Sequence, residues 1–189
     1  MPKSVTFDRK KVIEDVMELF WEKGYNGTSM QDLVDVTGLN RSSLYNSFGD
    51  KFSLFEESLL HYQQIQDKNL VQIIERSHSP KEAIRSLFEG ISYDLNEGKQ
   101  SKGCFIANCT SELVNQDERI HTMLVKNKER VVGVFESLIK EAQQKGEIEG
   151  SKDAKTLALF LFSSLNGLQL TSMIESDIQG VTDQIINSL

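Results

Sequence analysis

Arg41, Ser42, Ser43, Tyr45 and Asn46 stand together in the short stretch Asn40 to Phe48. Arginine can pair with guanine and asparagine with adenine, each discriminating by about 1–3 kcal/mol, so Arg41, Ser42, Ser43 and Asn46 are candidates for reading base edges in a DNA major groove. Elsewhere the side chains that could do chemistry are scattered. Cys104 follows Gly103 near an expected helix start, where the helix dipole favours a reactive thiolate; the alternative is a small buried thiol without a role. Cys109 lies five residues on, about 140° around a helix, so the two thiols are badly placed to grip one metal. His61, His78 and His121 have no partners at ligand spacing, and neither a metal nor a cofactor is expected. No GxSxG, HExxH or GxxxxGK pattern occurs, and Glu57 with His61 reads as decoration of a helix face. The chain is expected to be no enzyme.

Base reading needs a helix held out from the protein, and Gly24 to Lys51 supplies the signals for one. Thr28 with Gln31 reads as a capping box, and Met30, Leu33 and Val34 form one apolar stripe. Gly38 breaks that helix, Leu39 tucks under the turn, and Asn40 caps a second helix. In the second helix Leu44 and Phe48 face inward, while Arg41, Ser42, Ser43, Tyr45 and Asn46 point outward or to its edges. Gly49 stops it and Asp50 starts the next. Val12, Ile13, Val16, Met17 and Phe20 predict an earlier helix over about residues 7–23, covering the apolar side of the other two.

Phe20-Trp21-Glu22-Lys23-Gly24-Tyr25-Asn26-Gly27-Thr28-Ser29-Met30, Thr37-Gly38-Leu39, Ser43-Leu44-Tyr45, Phe48 and Asp50-Lys51 resemble the TetR family of bacterial transcriptional repressors over about residues 7–55. The resemblance implies an all-α protein, with a helix-turn-helix over residues 1–52 and a helical effector-binding and dimerisation domain over 53–189. It places Thr28, Tyr45 and Lys51 at phosphates. Ser42 stands where the family often has glycine, and Asn46 where a basic or aromatic residue is frequent, which leaves the operator sequence open. Some family members that respond to electrophiles carry a Gly-Cys pair near the position of Gly103-Cys104, so a thiol sensor is an alternative trigger. A helical small-molecule binder without DNA binding is the reading from another class.

The net charge is −7 over 189 residues, unusual for a binder of polyanions. Residues 1–52 hold seven Lys+Arg against eight Asp+Glu, whereas residues 53–189 hold fourteen against twenty. The acidity therefore sits mostly in the body, while Arg9, Lys10, Lys11, Arg41 and Lys51 cluster where phosphates would lie. Affinity for DNA should fall as salt rises. The start MPKSVTFDRKK lacks the apolar core of a signal peptide, and the run Leu157 to Phe162 is far short of the ~20 residues that span a bilayer. A cytoplasmic protein without a membrane partner is expected.

In the body, Phe52, Phe55, Leu59 and Tyr62 mark a long helix from Asp50 to about Arg76, able to link the two parts mechanically. Ser79, Pro80 and Glu82 start another, carrying Ile84, Leu87, Phe88, Ile91 and Leu95. After a polar link from Glu97 to Lys102, helices are expected from near Gly103 and from Asp117 to Gly146. Leu157 to Leu170 is apolar on nearly every side of a helix and needs cover all round. Either it is buried within one chain, or a second subunit covers it about a two-fold axis. The family resemblance implies the second, with Phe160, Leu161, Leu165, Leu168 and Ile185 at a homodimer interface. It also implies a pocket for a small-molecule effector, for which Tyr62, Phe88, Phe105, Asn108, Met123 and Asn166 are the candidate lining.

Overall fold

Short polar side chains start most of the helices. In the computed structural model, which describes residues 7–96 and 102–189 but not the side chains of 92–96, they cap free N–H groups at helix after helix. The order is α1 (Arg9–Gly27), α2 (Met30–Thr37), α3 (Arg41–Phe48), α4 (Lys51–Arg76), α5 (Pro80–Asn96), α6 (Phe105–Leu113), α7 (Glu118–Gln144), α8 (Ala154–Thr171) and α9 (Gln179–Asn187). No strand occurs among the described residues, and the chain is all-α. Asn40 Oδ1 accepts from the Ser43 N–H at 2.8 Å, Asp50 from Ser53 at 2.7 Å and Asp153 from Thr156 at 2.8 Å. Each satisfies a donor the helix itself leaves free. The polar link expected before Gly103 lies, apart from Lys102, outside the described residues, as does the Leu95 side chain.

The start of α2 differs from expectation by one residue. Ser29, not Thr28, is its cap: Ser29 Oγ accepts from the Asp32 N–H, and the Asp32 carboxylate accepts from the Ser29 N–H. Thr28 cannot serve, because its hydroxyl turns back to the Gly24 carbonyl at 2.7 Å. Gln31 instead donates to Asp35. α1 runs beyond Lys23 to Gly27 through a break at Gly24, whose φ of 71° favours glycine.

Two cores hold the molecule. In the first, Val16, Phe20, Leu33, Leu44, Phe55 and Leu59 pack with Phe105, Leu113, Ile120 and Leu124. It therefore runs from the first three helices across α4 into α6 and the start of α7. The second joins α5, α7, α8 and α9 through Phe88, Phe135, Ile139, Leu161, Leu168 and Ile186. Complete burial of each such side chain contributes about 1.5–3 kcal/mol. At 26 residues, α4 is about 39 Å long by the rise of an α-helix and leads from the end of α3 to the start of α5.

Candidate nucleic-acid interface and ligand cavity

The sequence places Leu44 and Phe48 four residues apart, and both are buried under α3, which turns the other side of this short helix outward. Arg41, Ser42, Tyr45 and Asn46 are exposed, and Ser43 is half-buried. All five candidate side chains of α3 thus lie away from its buried stripe. Of the three residues that the resemblance sets at phosphates, Tyr45 is open to solvent. Lys51 is half-buried with Nζ 4.3 Å from the centre of the Tyr25 ring, and desolvation holds its pKa below the ordinary lysine value. Thr28 is 1 % exposed with its hydroxyl engaged, so its side chain is shut off from any phosphate as the chain stands.

Arg9, counted above among the basic residues near DNA, is largely used within the protein. It pairs with Glu57, donates to the Ser47 carbonyl and lies over the Phe48 ring. Lys10 and Lys11 make exposed pairs with Glu14 and Asp15, which are weak. Lys23 bonds Asp32 at 2.6 Å across α1 and α2; that bond, with those from Ser29, holds the Asp32 carboxyl far below the usual range.

The three-helix unit is fastened to the body at the Gly24 break. There the Glu112 carboxylate of α6 accepts from the N–H groups of Tyr25 at 3.0 Å and Asn26 at 2.7 Å. A Cβ at residue 24 would come within 2.8 Å of a Glu112 oxygen, so glycine suits this position by contact as well as by φ. Trp21 Nε1 donates to the Lys102 carbonyl, and Lys102 Nζ pairs with Glu18. Nothing local in the sequence marks Glu112, a carboxylate whose partners lie so far back in the chain.

Between α4, α5, α6, α7 and α8 lies a cavity of two lobes. One, of about 330 Å³, meets Trp21, Leu70, Ile73 and Phe135. The other, of about 270 Å³, meets Cys104, Ile106, Leu124 and Phe162. Tyr62, Gln66, Arg130, Leu165 and Gln169 line both. Arg130 forms an ion pair with Asp67 of α4, and its Nη2 donates to Asn127 Oδ1 at 2.9 Å. Burial pushes the Tyr62 hydroxyl well above the ordinary tyrosine range.

Of the six residues expected to line a pocket, Tyr62 and Asn166 do so here. Phe88 instead packs against Phe135 in the second core. Phe105 joins an aromatic cluster with Trp21, Phe55 and Tyr62, and it and Asn108 border a separate opening beside α1. Met123 edges a small crevice between α4 and α7. Spacing along a helix gives the direction of a side chain but not what it meets, hence the scatter. Asp67, Arg130, Gln66 and Gln169 were missed, although Asn127 and Arg130 interrupt the apolar stripe of α7, a readable signal.

Cys104 caps α6 without a side-chain hydrogen bond to its N–H groups, and its Sγ accepts from the Tyr62 hydroxyl at 3.6 Å. Cys109 is buried, and desolvation raises its thiol pKa. The two thiols are unbonded.

The residues expected at a subunit interface divide. Phe160 is exposed, whereas Leu161, Leu168 and Ile185 are buried in the second core and Leu165 faces the cavity. Their sides of α8 and α9 serve their own chain. The apolar side chains left outside in this region are Leu159, Phe160, Leu170, Met173 and Val181, with Ile174 90 % exposed. Among the described residues no helix is long and apolar enough to cross a membrane.

The family model described as "Bacterial regulatory proteins, tetR family" matches residues 13–58, and "Tetracyclin repressor-like, C-terminal domain" matches residues 80–185. The uncharacterized HTH-type transcriptional regulator YezE of Bacillus subtilis is 29% identical over 100% of this chain and 98% of its own length. The HTH-type transcriptional repressor ComR of Escherichia coli is 30% identical over 88% of this chain and 80% of its own. Among solved structures, a cysteine mutant of the TetR family transcriptional regulator CifR, complexed with 26 bp double-strand operator DNA, shares the fold. It has a TM-score of 0.83 and 21% identity over 100% of this chain and 99% of that one. With both halves matched, the chain belongs to the TetR family of helix-turn-helix transcriptional regulators.

Proposed function

We propose that the chain is a homodimeric repressor that binds a pseudo-palindromic operator with one α3 per half-site and leaves it when a small molecule fills the cavity. The single observation that supports it most is the outer side of α3, where Arg41, Ser42, Tyr45 and Asn46 are exposed over a buried Leu44 and Phe48. Residues 1–52 are the reading unit, and 53–189 hold the effector and the partner subunit. Two relatives lend support: ComR carries the name of a repressor, and CifR was solved on operator DNA. The exposed Leu159, Phe160 and Leu170 of α8 and Val181 of α9 suit cover by a second copy. The proposed setting is the cytoplasm, with DNA, the effector and a second subunit as partners. The chain is not an enzyme, since its relatives and both matched families are regulators.

Release works as a population shift. A ligand that binds the conformation unfit for DNA more tightly than the fit one lowers the fit population, whereas equal affinity for both shifts nothing. α4 forms one wall of the cavity and begins right after α3, and α6 forms another and grips α1 through Glu112. Replacing Arg41 by Ala together with Tyr45 by Phe tests the reader: operator affinity drops sharply with the helical content kept. Undiminished affinity removes α3 from the interface.

A second trigger is favoured by one observation, that Cys104 opens onto the apolar lobe and contacts Tyr62. An electrophile entering there would meet the thiol. If Cys104→Ser responds to electrophiles as the parent does, that trigger is lost.

A further inference from the structure

The charges around the cavity narrow the chemistry of what fills it. The chain is acidic, at −7 overall. Yet among the described residues lining the lobe between α6, α7 and α8, the charged side chains are Lys128 and Arg130, with no carboxylate. The rest of that lining is mostly apolar, with Ile106, Leu124 and Phe162 on its walls. Arg130 beside an oily wall, with the exposed Lys128 nearby, suits an anion carrying an apolar body.

Arg130 already holds an anion. Its guanidinium offers five N–H donors in a planar fork that matches carboxylates and phosphates, of which the singly charged carboxylate is the less costly to bring against an apolar wall. The carboxylate it meets is Asp67 of α4, on the side of the other lobe. The fit is incomplete: Asp67 Oδ1 touches Arg130 Nη1 as an ion pair but makes no aligned hydrogen bond, and Arg130 Nε is buried without a partner among the described residues. Asn127 Oδ1 takes one proton from Nη2. A better-placed carboxylate could use the donor that Asp67 leaves unmet.

Resting on the effector reading above, we propose that the cavity takes an organic monocarboxylate, with its charged end on Arg130 in exchange for Asp67 and its apolar body in the lobe between α6, α7 and α8. The exchange removes the ion pair that joins α4 to α7 at this point. Because α4 continues from the reading helix, a ligand of this class acts at the joint between cavity and reader. A cation meets Arg130 and Lys128 as like charges, and a neutral amide gains the apolar contacts and at most a hydrogen bond without its own charge.

Trp21, the one tryptophan of the chain, lines the other lobe and packs against Tyr62, which lines both, so it supplies a fluorescence signal independent of DNA. The probes are octanoate, octanamide and octyltrimethylammonium at neutral pH. Octanoate should bind at least about tenfold more tightly than the amide, the scale of a charge-assisted pair, and the cation most weakly. Arg130→Gln should bring octanoate to the level of the amide while changing the amide far less. Asp67→Asn should tighten octanoate by about two- to fivefold, because the internal competitor, a partly exposed pair, is gone. A merely structural ion pair would weaken ligand binding in both variants, and if Arg130→Gln does not fold, Asp67→Asn decides alone. Equal binding of octanoate and its amide by the parent, or no gain in Asp67→Asn, overturns the inference. Octanoate that binds as described but leaves operator affinity unchanged keeps the inference and sinks release; release by the amide and not by octanoate does the reverse.

Discussion

Arg41 stands in the first turn of α3 with its side chain in solvent, the end of the helix that would enter a major groove first. Truncating it to Ala should cost about 1–3 kcal/mol of operator binding and relax sequence preference at one base pair per half-site, read by titrating single-site operator variants. Lys51 should act differently. As a phosphate contact, Lys51→Gln should weaken binding to all sequences alike and reduce the slope of log affinity against log salt by about one. Such residues were legible one by one, because Leu44, Phe48 and the capping Asn40 fix the rotation of so short a helix. Thr28 was not legible. Thr28 and Ser29 are both plausible caps in sequence, and only the carbonyl at Gly24, freed where α1 breaks, decides that Thr28 turns inward.

At the scale of elements, aspartates that cap helices tie stability to pH. The N–H of Ser53 lowers the pKa of Asp50, the side chain and N–H of Thr156 lower that of Asp153, and Arg119 lowers that of Asp117. A carboxyl whose folded pKa lies below its unfolded value of about 3.8 contributes its full stability above that pH and loses it as pH falls toward the folded value. Helicity followed by circular dichroism should therefore hold from neutrality down to about pH 4 and fall below it. Asp153→Asn, which still caps but does not titrate, should remove that helix's share of the acid loss. Glu112 is the second test at this scale. Glu112→Ala leaves two N–H groups at the α1 break unmatched, so it should cost about 1–3 kcal/mol and speed amide exchange at Tyr25 and Asn26. Helix positions were readable from periodicity and caps, as at Asn40, Asp50, Ser79 and Asp117. The fastening of α6 to α1 was not, because it joins side chain to backbone across distant segments.

For the whole molecule, the first core matters most. It crosses residue 52, where charge and motif suggested a boundary, so the reading helices share their interior with α6 and the start of α7. Sequence shows where composition changes but not which apolar faces meet, and Phe105, Ile120 and Leu124 look no different from second-core residues. The same limit explains the interface candidates: Leu161 and Leu168 are as apolar as Phe160, yet the chain's own helices cover them. Phe160→Asp, at the exposed face, should shift sedimentation from dimer toward monomer while leaving the helical signal intact. Recognition of DNA by a symmetric pair of α3 helices is decided by selecting bound sequences from random DNA and footprinting the best one. An inverted repeat is expected, with two protected patches on one face of the duplex, about 34–36 Å apart, lost together when Arg41 and Tyr45 are replaced. A single unpaired patch, or protection that survives those replacements, would contradict it.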